Sequence, residues 1–362
     1  MLVVNVGSSS LKLRLLDADD SLLASRDLAA RDHARSLSEF LAAAGGFDAV
    51  GHRVVHGGHR FRVATEVTDD GLAALHETSD LAPLHNPPAI AAIEEMRRLA
   101  PGVPNVACFD TAFHASLPQE AALYALPERW SRGLGVRRFG FHGLSYAYAA
   151  RRAAELLEVD LSATRLVICH LGAGASVAAV DRGHSRDTTM GFTPLEGLVM
   201  NTRSGSVDPG LLLWLERRRG ISPDLLDHAL EHESGLAGLA GGSGDMRELL
   251  AAVDSGGARA ETALAVYVHR LRGAIAAMAA ALGGLDALVF TGAVGEGSDR
   301  IRRAAAGGLG FLGVAVRPSG REEASGVDED VSAEDAPVRT LVIHSREDIE
   351  IAAQTRAALR PT

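Results

Sequence analysis

Arg53, inside the run GHRVVHGG, and Arg203, inside NTRSG, are the two side chains of this sequence best suited to managing anions. A guanidinium is planar, forked and permanently charged, so it matches carboxylate or phosphoryl oxygens two at a time. Arg203 follows the apolar stretch GFTPLEGL and is flanked by small residues, which lets an anion come close. Other polar groups fall at strand ends or in loops: His56, His85 in LAPLHNPP, Asp110 and His114 in FDTAFH, and His142 in FGFHG. Taken singly, each histidine is more often a hydrogen-bonded structural residue, and each arginine a surface ion pair. Their density among apolar neighbours points to a shared pocket.

Something must also hold a polyanion, and two hairpins are candidates. The stretch from Val3 to Leu13 is an apolar run, a Gly/Ser turn and a second apolar run, and the same pattern returns from Val167 to Val177. Laid over each other, Asn5 falls opposite His170 and Gly7 opposite Gly172. Tips of this kind expose backbone N–H groups and let a phosphate approach closely. Recurrence on matching strands indicates an internal duplication. A third Gly-rich element, Val289 to Glu296, follows a strand and precedes the helical run Ser298 to Ala305, a setting that favours anions and nucleotides.

The remaining pattern alternates strands with helices and reads as α/β. Strands are expected at Leu2 to Val6, Leu11 to Leu15, Val50 to Val55, Val106 to Phe109, Leu166 to Leu171, Ser176 to Val180, Ala287 to Phe290 and Thr340 to Ile343. Asn86 is expected to cap a helix with Pro87 in its first position and Ile90, Ile93, Met96 and Leu99 on one face. Further helices are expected at Tyr146 to Leu157, Pro209 to Arg219 and Ala258 to Leu282, and the acidic segment Glu322 to Asp335 reads as a solvated loop.

The 362 residues suit two domains. A formal net charge of -10 without a basic cluster argues against a nucleic-acid partner. The apolar stretch from Leu264 to Leu282 is interrupted by His269, Arg270 and Arg272, so it reads as a core helix and not a membrane span. No signal-peptide pattern opens the chain, and Cys108 and Cys169 fall inside apolar strand-like runs, as buried thiols do; a cytoplasmic location is expected. There is no Cys/His metal spacing, no Gly-x-Ser-x-Gly element and no Walker-type loop, so a hydrolase triad is unsupported. Scattered carboxylates such as Glu347 could help hold Mg²⁺ through water, although the residues alone rank Glu347 no higher than other acids.

These motifs together resemble the acetate kinase family, a branch of the superfamily that includes sugar kinases, heat-shock chaperones and actin. NVGSSSLK, GHRVVHGG, LAPLHNPP, FDTAFH, GFHG, HLGAGASV, TTMGFTPLEGL, TRSGSVDPG, SGDMR and VIHSREDIEIA stand in family order over nearly the whole chain. The resemblance implies two actin-like (ribonuclease H-like) α/β domains of duplicated origin, residues 1–111 plus 348–362 and residues 112–347, with an interdomain active-site cleft. It implies reversible transfer of the ATP γ-phosphoryl group to acetate, and a homodimer. Carried over by position, Asn5 and Glu347 would place Mg²⁺ or Mn²⁺, and Lys12 would contact the nucleotide phosphates. Arg53 would bind the acid, Asp110 matches the active-site acid, and His142 and Arg203 would stabilise the transferring group. Val55, Leu84, Phe141 and Pro194 match the pocket for the methyl group. The nucleotide loops would be His170, Leu171, Gly172, Ala173 and Gly174; Asp245, Met246 and Arg247; and Ala293, Val294, Gly295, Glu296 and Gly297.

Chemistry refines one of these roles. A carboxylic acid with a pKa of about 4 to 5 is already ionised at neutral pH and needs no general base, so Asp110 reads as a group that orients an arginine or the metal. Two other readings stay open: a propionate-preferring or pyrophosphate-using acyl kinase, and a non-catalytic actin-like ATP-binding module. Ala173, Ala293 and Gly297 stand where the family more often has Asn, Gly and Asn, which bears on donor choice. The segment between Leu16 and Val50 is shorter than in most relatives.

Overall fold

The computed structural model describes residues 1–7, 10–29, 33–317 and 326–360. The chain divides into two compact units: Met1–Ala115 with Phe141–Tyr148 and Arg346–Thr362, and Ser116–Gly140 with Ala149–Ser345. They differ from the expected division in that residues 112–115, the short segment around His142 and the residues Arg346 and Glu347 group with the first unit. The reason is local. The Gly143 N–H donates to the Asp110 carbonyl, and His114 bonds the Phe141 carbonyl, stitching that segment to the end of a first-unit strand.

The first unit is built on a sheet of β1 (Leu2–Val6), β2 (Ser10–Leu16), β3 (Leu22–Ala29), β4 (Val50–Val54), β5 (Thr65–Glu66) and β6 (Asn105–Phe109), in the order β3-β2-β1-β4-β6-β5. Strands β1, β4 and β6 run parallel, whereas β2, β3 and β5 pair antiparallel with their neighbours. Parallel strands are covered on both faces, hence the nearly continuous apolar runs. Alternation along β1 separates two cores: Leu2, Val4 and Val6 pack with Ile90, Ile93 and Met96 of helix Asn86–Leu99, while Val3 packs with Ile351 and Ala352 of helix Glu347–Ala358. That second helix, which begins at Glu347, lies directly on β4 at Gly51, where any Cβ would overlap the Thr355 hydroxyl.

The second unit repeats the plan with β7 (Arg165–Leu171), β8 (Ala175–Asp181), β9 (His184–Thr188), β10 (Ala287–Thr291), β11 (Glu329–Asp330) and β12 (Arg339–Val342). Read from the other edge its order is β9-β8-β7-β10-β12-β11, and every pairing has the same sense as its counterpart in the first sheet. The repeated topology agrees with the duplication read from the hairpins. Each hairpin loop has three residues between its strands, and both are closed at the leading glycine: Gly7 N–H to the Ser10 carbonyl at 2.7 Å, Gly172 N–H to the Gly174 carbonyl at 3.0 Å. The tip residues Ser8 and Ser9 lie outside the described residues.

Two expectations need correction. Asn86 does not cap the helix it begins; it is fully buried, and its side chain bonds instead to Thr78 and to both backbone groups of His56. Burial explains the switch, because a buried amide must satisfy its donors and acceptor and the loop after β4 offers partners. The acidic segment is not all loop. Residues 322–325 lie outside the described residues, but Glu329–Asp330 form the edge strand β11, with Arg317 on Glu329 and Arg339 on Asp330 cancelling the like charge. Among the described residues no helix is long and apolar enough to cross a membrane.

Candidate functional site

In the first unit four of the residues singled out in the sequence, Arg53, Asp110, Asn5 and Glu347, come together. Arg53 leaves β4 near its end and Asp110 immediately follows β6, the neighbouring parallel strand, so the two project from the same sheet end. Arg53 grips Asp110 in a fork: Nη2 lies 2.6 Å from Oδ2, and Nε lies 3.2 Å from each carboxylate oxygen. Its Nη1 donates to Asn5 Oδ1 at 3.3 Å, and Asn5 Nδ2 donates to Glu347 Oε2 at 2.8 Å. One hydrogen-bonded line therefore runs Asp110, Arg53, Asn5, Glu347. Asn5 stands opposite Lys12 in the β1–β2 register, which puts the Lys12 side chain, itself exposed, on the same sheet face.

Asp110 is 1 % exposed, and burial pushes its carboxyl above the ordinary range; Arg53 opposes this and Glu347 adds to it. Arg53 is correspondingly held even more firmly protonated, Asp110 and Glu347 outweighing the cost of burial.

Val55 and Phe141 are buried, and Phe141 meets the His56 ring edge-on at 5.5 Å. Leu84 is 55 % exposed, so it does not join that buried pair. His142 has φ +60, a left-handed backbone that costs energy for a side chain other than glycine.

In the second unit the nucleotide-loop candidates occupy three turns. The tip of the β7–β8 hairpin exposes Ala173, whose carbonyl accepts the Asn201 N–H at 3.2 Å. Asp245 caps helix Met246–Asp254, accepting the Arg247 N–H at 2.8 Å and pairing with the exposed Arg247 guanidinium, which holds its carboxyl below the usual range. Met246 is buried. After β10 the chain makes a six-residue helix, Gly292–Gly297, where a helical run only from Ser298 had been expected. Gly292 has φ +78 with no room for a Cβ beside the Leu171 carbonyl. Arg203 is held by Glu231, Nε to Oε2 at 2.9 Å, and its Nη1 lies 3.4 Å from the Pro194 carbonyl.

The chain matches the model of the acetokinase family over residues 35–353. The chain belongs to the acetokinase family. Among curated relatives, the acetate kinase of Gloeobacter violaceus is 52% identical over 312 residues, covering 86% of this chain and 76% of that one. The crystal structure of Porphyromonas gingivalis acetate kinase superposes with a TM-score of 0.91 at 35% identity, covering 99% of both chains. A propionate kinase from Francisella tularensis does so with a TM-score of 0.91 at 32% identity, again over 99% of each. At these identities the two-sheet architecture of this chain is that of the family's solved members.

Several supporting residues of the chain carry no sign of their role in the sequence. Asn86 brackets the His56 backbone; Thr111 Oγ1 accepts the Gly57 N–H at 3.0 Å; Glu231 anchors Arg203. Glu296, expected in a nucleotide loop, has a carboxylate that accepts the Gly292 and Ser345 N–H groups at 2.8 and 2.9 Å and pairs with His344. No periodicity or motif signals such contacts, because nearly all of them join residues far apart in sequence. Another loop is braced the same way: Tyr124 and Arg138 both hold Glu196, two residues beyond Pro194.

Among the described residues no three His, Cys, Asp or Glu side chains form a metal cluster. Asn5 and Glu347 do offer an amide oxygen and a carboxylate in bonded register, hard oxygen donors of the kind Mg²⁺ takes when water and substrate phosphates complete its shell.

Proposed function

We infer that this chain catalyses reversible transfer of the γ-phosphoryl group of ATP to acetate, giving acetyl phosphate and ADP. Membership of the acetokinase family supports the reaction class, and the half-buried Arg53 fork on buried Asp110 is the observation that carries the assignment of residues. The obstacle in this reaction is bringing an anion up to a polyanion, so catalysis rests on positioning and charge neutralisation. Arg53, pre-set by Asp110, binds the acid's carboxylate. Asp110 acts through Arg53 and abstracts no proton. Arg203, braced by Glu231, and His142 neutralise the equatorial oxygens of the group in flight. The glycine-bearing turns at Gly172–Gly174 and Gly292–Gly297, with Lys12, receive the nucleotide. Asn5 and Glu347 would hold Mg²⁺, which when bound offsets phosphate charge.

Val55 and Phe141 receive the methyl group, and the branched, buried Val55 narrows that space. Each methylene is discriminated by only about 1 to 3 kcal/mol, so propionate is a slower substrate, a reading also supported by the likeness to a propionate kinase. The two free cysteines, Cys108 and Cys169, are buried thiols, in keeping with a reducing cytoplasm. Helices Pro209–Arg219 and Pro223–His232 bury no residue in the single chain and leave Leu211, Leu213, Trp214 and Leu225 exposed, apolar surface that supports a homodimer in which these helices are covered.

Hydroxylamine trapping of the acyl phosphate tests the reaction directly. ATP with acetate should give the most hydroxamate, propionate less, and pyrophosphate none in place of ATP. No hydroxamate from acetate and ATP would overturn the function, and preference for butyrate would overturn the pocket assignment.

A further inference from the structure

The strained backbone at His142 is held on both sides by hydrogen bonds from one short segment, residues 110–114. The Gly143 N–H donates to the Asp110 carbonyl at 3.0 Å, and a Cβ on Gly143 would overlap that same carbonyl. On the other side of His142, the Phe141 carbonyl lies 3.0 Å from His114 Nε2. A carbonyl only accepts, so Nε2 carries the proton and donates it here. The Tyr146 N–H closes on the His142 carbonyl at 3.0 Å and starts the following helix. His114 is 1 % exposed, with its ring edge-on to Phe113 at 5.5 Å and to Tyr146 at 5.6 Å, so its imidazole has little freedom to turn away.

Segment 110–114 thus does two things. The Asp110 carboxylate sets Arg53, while the Asp110 carbonyl and the His114 ring pin the peptide units on either side of His142. A left-handed conformation at a residue other than glycine persists only where its surroundings over-determine it, and removing one restraint lets the backbone relax toward an ordinary region. Such relaxation would swing the imidazole of His142 away from where φ +60 directs it.

We propose that His114 is a positioning residue for the phosphoryl-transfer step: its Nε2–H, bonded to the Phe141 carbonyl, keeps His142 in the left-handed conformation in which its ring meets the transferring group. The proposal rests on the function inferred above. It also ties the acid-binding arginine and the phosphoryl-stabilising histidine to one segment, so that both are placed by the same stretch after β6.

The test compares His114→Phe, which keeps a ring but has no donor, with His114→Gln, whose amide N–H reaches about as far as Nε2, and His114→Asn, whose amide is too short. Steady-state constants and urea midpoints are measured on the full chain. His114→Phe should lower kcat by about 10- to 100-fold, the scale of a misplacement near 1 Å. KM for ATP should stay within about twofold, because His142 acts on the transition state more than on the bound nucleotide. His114→Gln should restore most of the loss and His114→Asn should not, in an order that does not follow their urea midpoints. Should His114→Phe fail to fold, the Gln against Asn comparison decides alone. Wild-type kcat in His114→Phe, or equal kcat in the Gln and Asn variants, overturns the proposal while leaving the function standing. A wild-type chain that makes no acyl phosphate overturns both.

Discussion

Replacing Arg53 by Met should destabilise the first unit by an amount that depends on pH in a calculable way. Asp110 is 1 % exposed and takes three N–H contacts from the Arg53 guanidinium. Without that cation, a buried carboxylate has nowhere to place its charge and takes up a proton. The unfolded chain, with an ordinary aspartate pKa near 3.9, stays ionised at neutral pH, so the folded variant must capture a proton from dilute solution. At about 1.4 kcal/mol per pH unit between pH 3.9 and pH 7, the cost is about 4 kcal/mol, within the range of roughly 3–5 kcal/mol known for breaking a buried pair. Folded Arg53→Met binds one more proton than its unfolded form, so its stability rises as pH falls and the penalty shrinks to about 1.5 kcal/mol at pH 5. Urea unfolding of wild type, Arg53→Met and Arg53→Met/Asp110→Asn at pH 5 and pH 7 measures this. Groups that titrate alike in wild type and variant cancel in the difference. The double variant, having no carboxyl to protonate, should be more stable than Arg53→Met at pH 7 and should lack its pH slope. A penalty equal at the two pH values, or a double variant no better than the single one, would refute the view that Asp110 is an ion kept in place by Arg53.

Two further outcomes follow from the geometry. Arg203→Ala removes the guanidinium braced by Glu231 and should cost roughly 3 kcal/mol of transition-state stabilisation, about 100-fold in kcat, while the dissociation constant for nucleotide changes little; unchanged turnover would exclude the role. Light scattering at micromolar concentration should give twice the chain mass, and Trp214→Glu on the exposed helix face should return it to one; a monomeric wild type would overturn the assembly.

Legibility followed burial. The strands that the sequence announced, such as β1, β7 and β10, are central and parallel or at their margins, so their apolar runs are nearly continuous. The strands it did not announce are β3, β5, β9 and β11. All lie at or near a sheet edge, where outward residues such as Arg26, Asp27, Arg186 and Asp187 dilute the pattern, and β5 and β11 have two residues each. Asn86 was misjudged for a related reason: an Asn ahead of two prolines is a good cap in isolation, and only the neighbourhood of Thr78 and the His56 loop turns it inward.

Residue types and spacing alone settled that this chain is α/β, that its hairpins are paired relics of one unit, and that anions are its business, because repeated turns and planar cations carry their chemistry wherever they fold. The sequence could not say which acid answers which base. Asp110 on Arg53, Asn5 on Glu347, Glu231 on Arg203 and His114 beneath the strained His142 peptide join positions 27 to 342 residues apart. Such contacts exist only once sheets and helices have brought their ends together, since hydrogen bonds and ion pairs act over a few ångströms and leave no local periodicity behind.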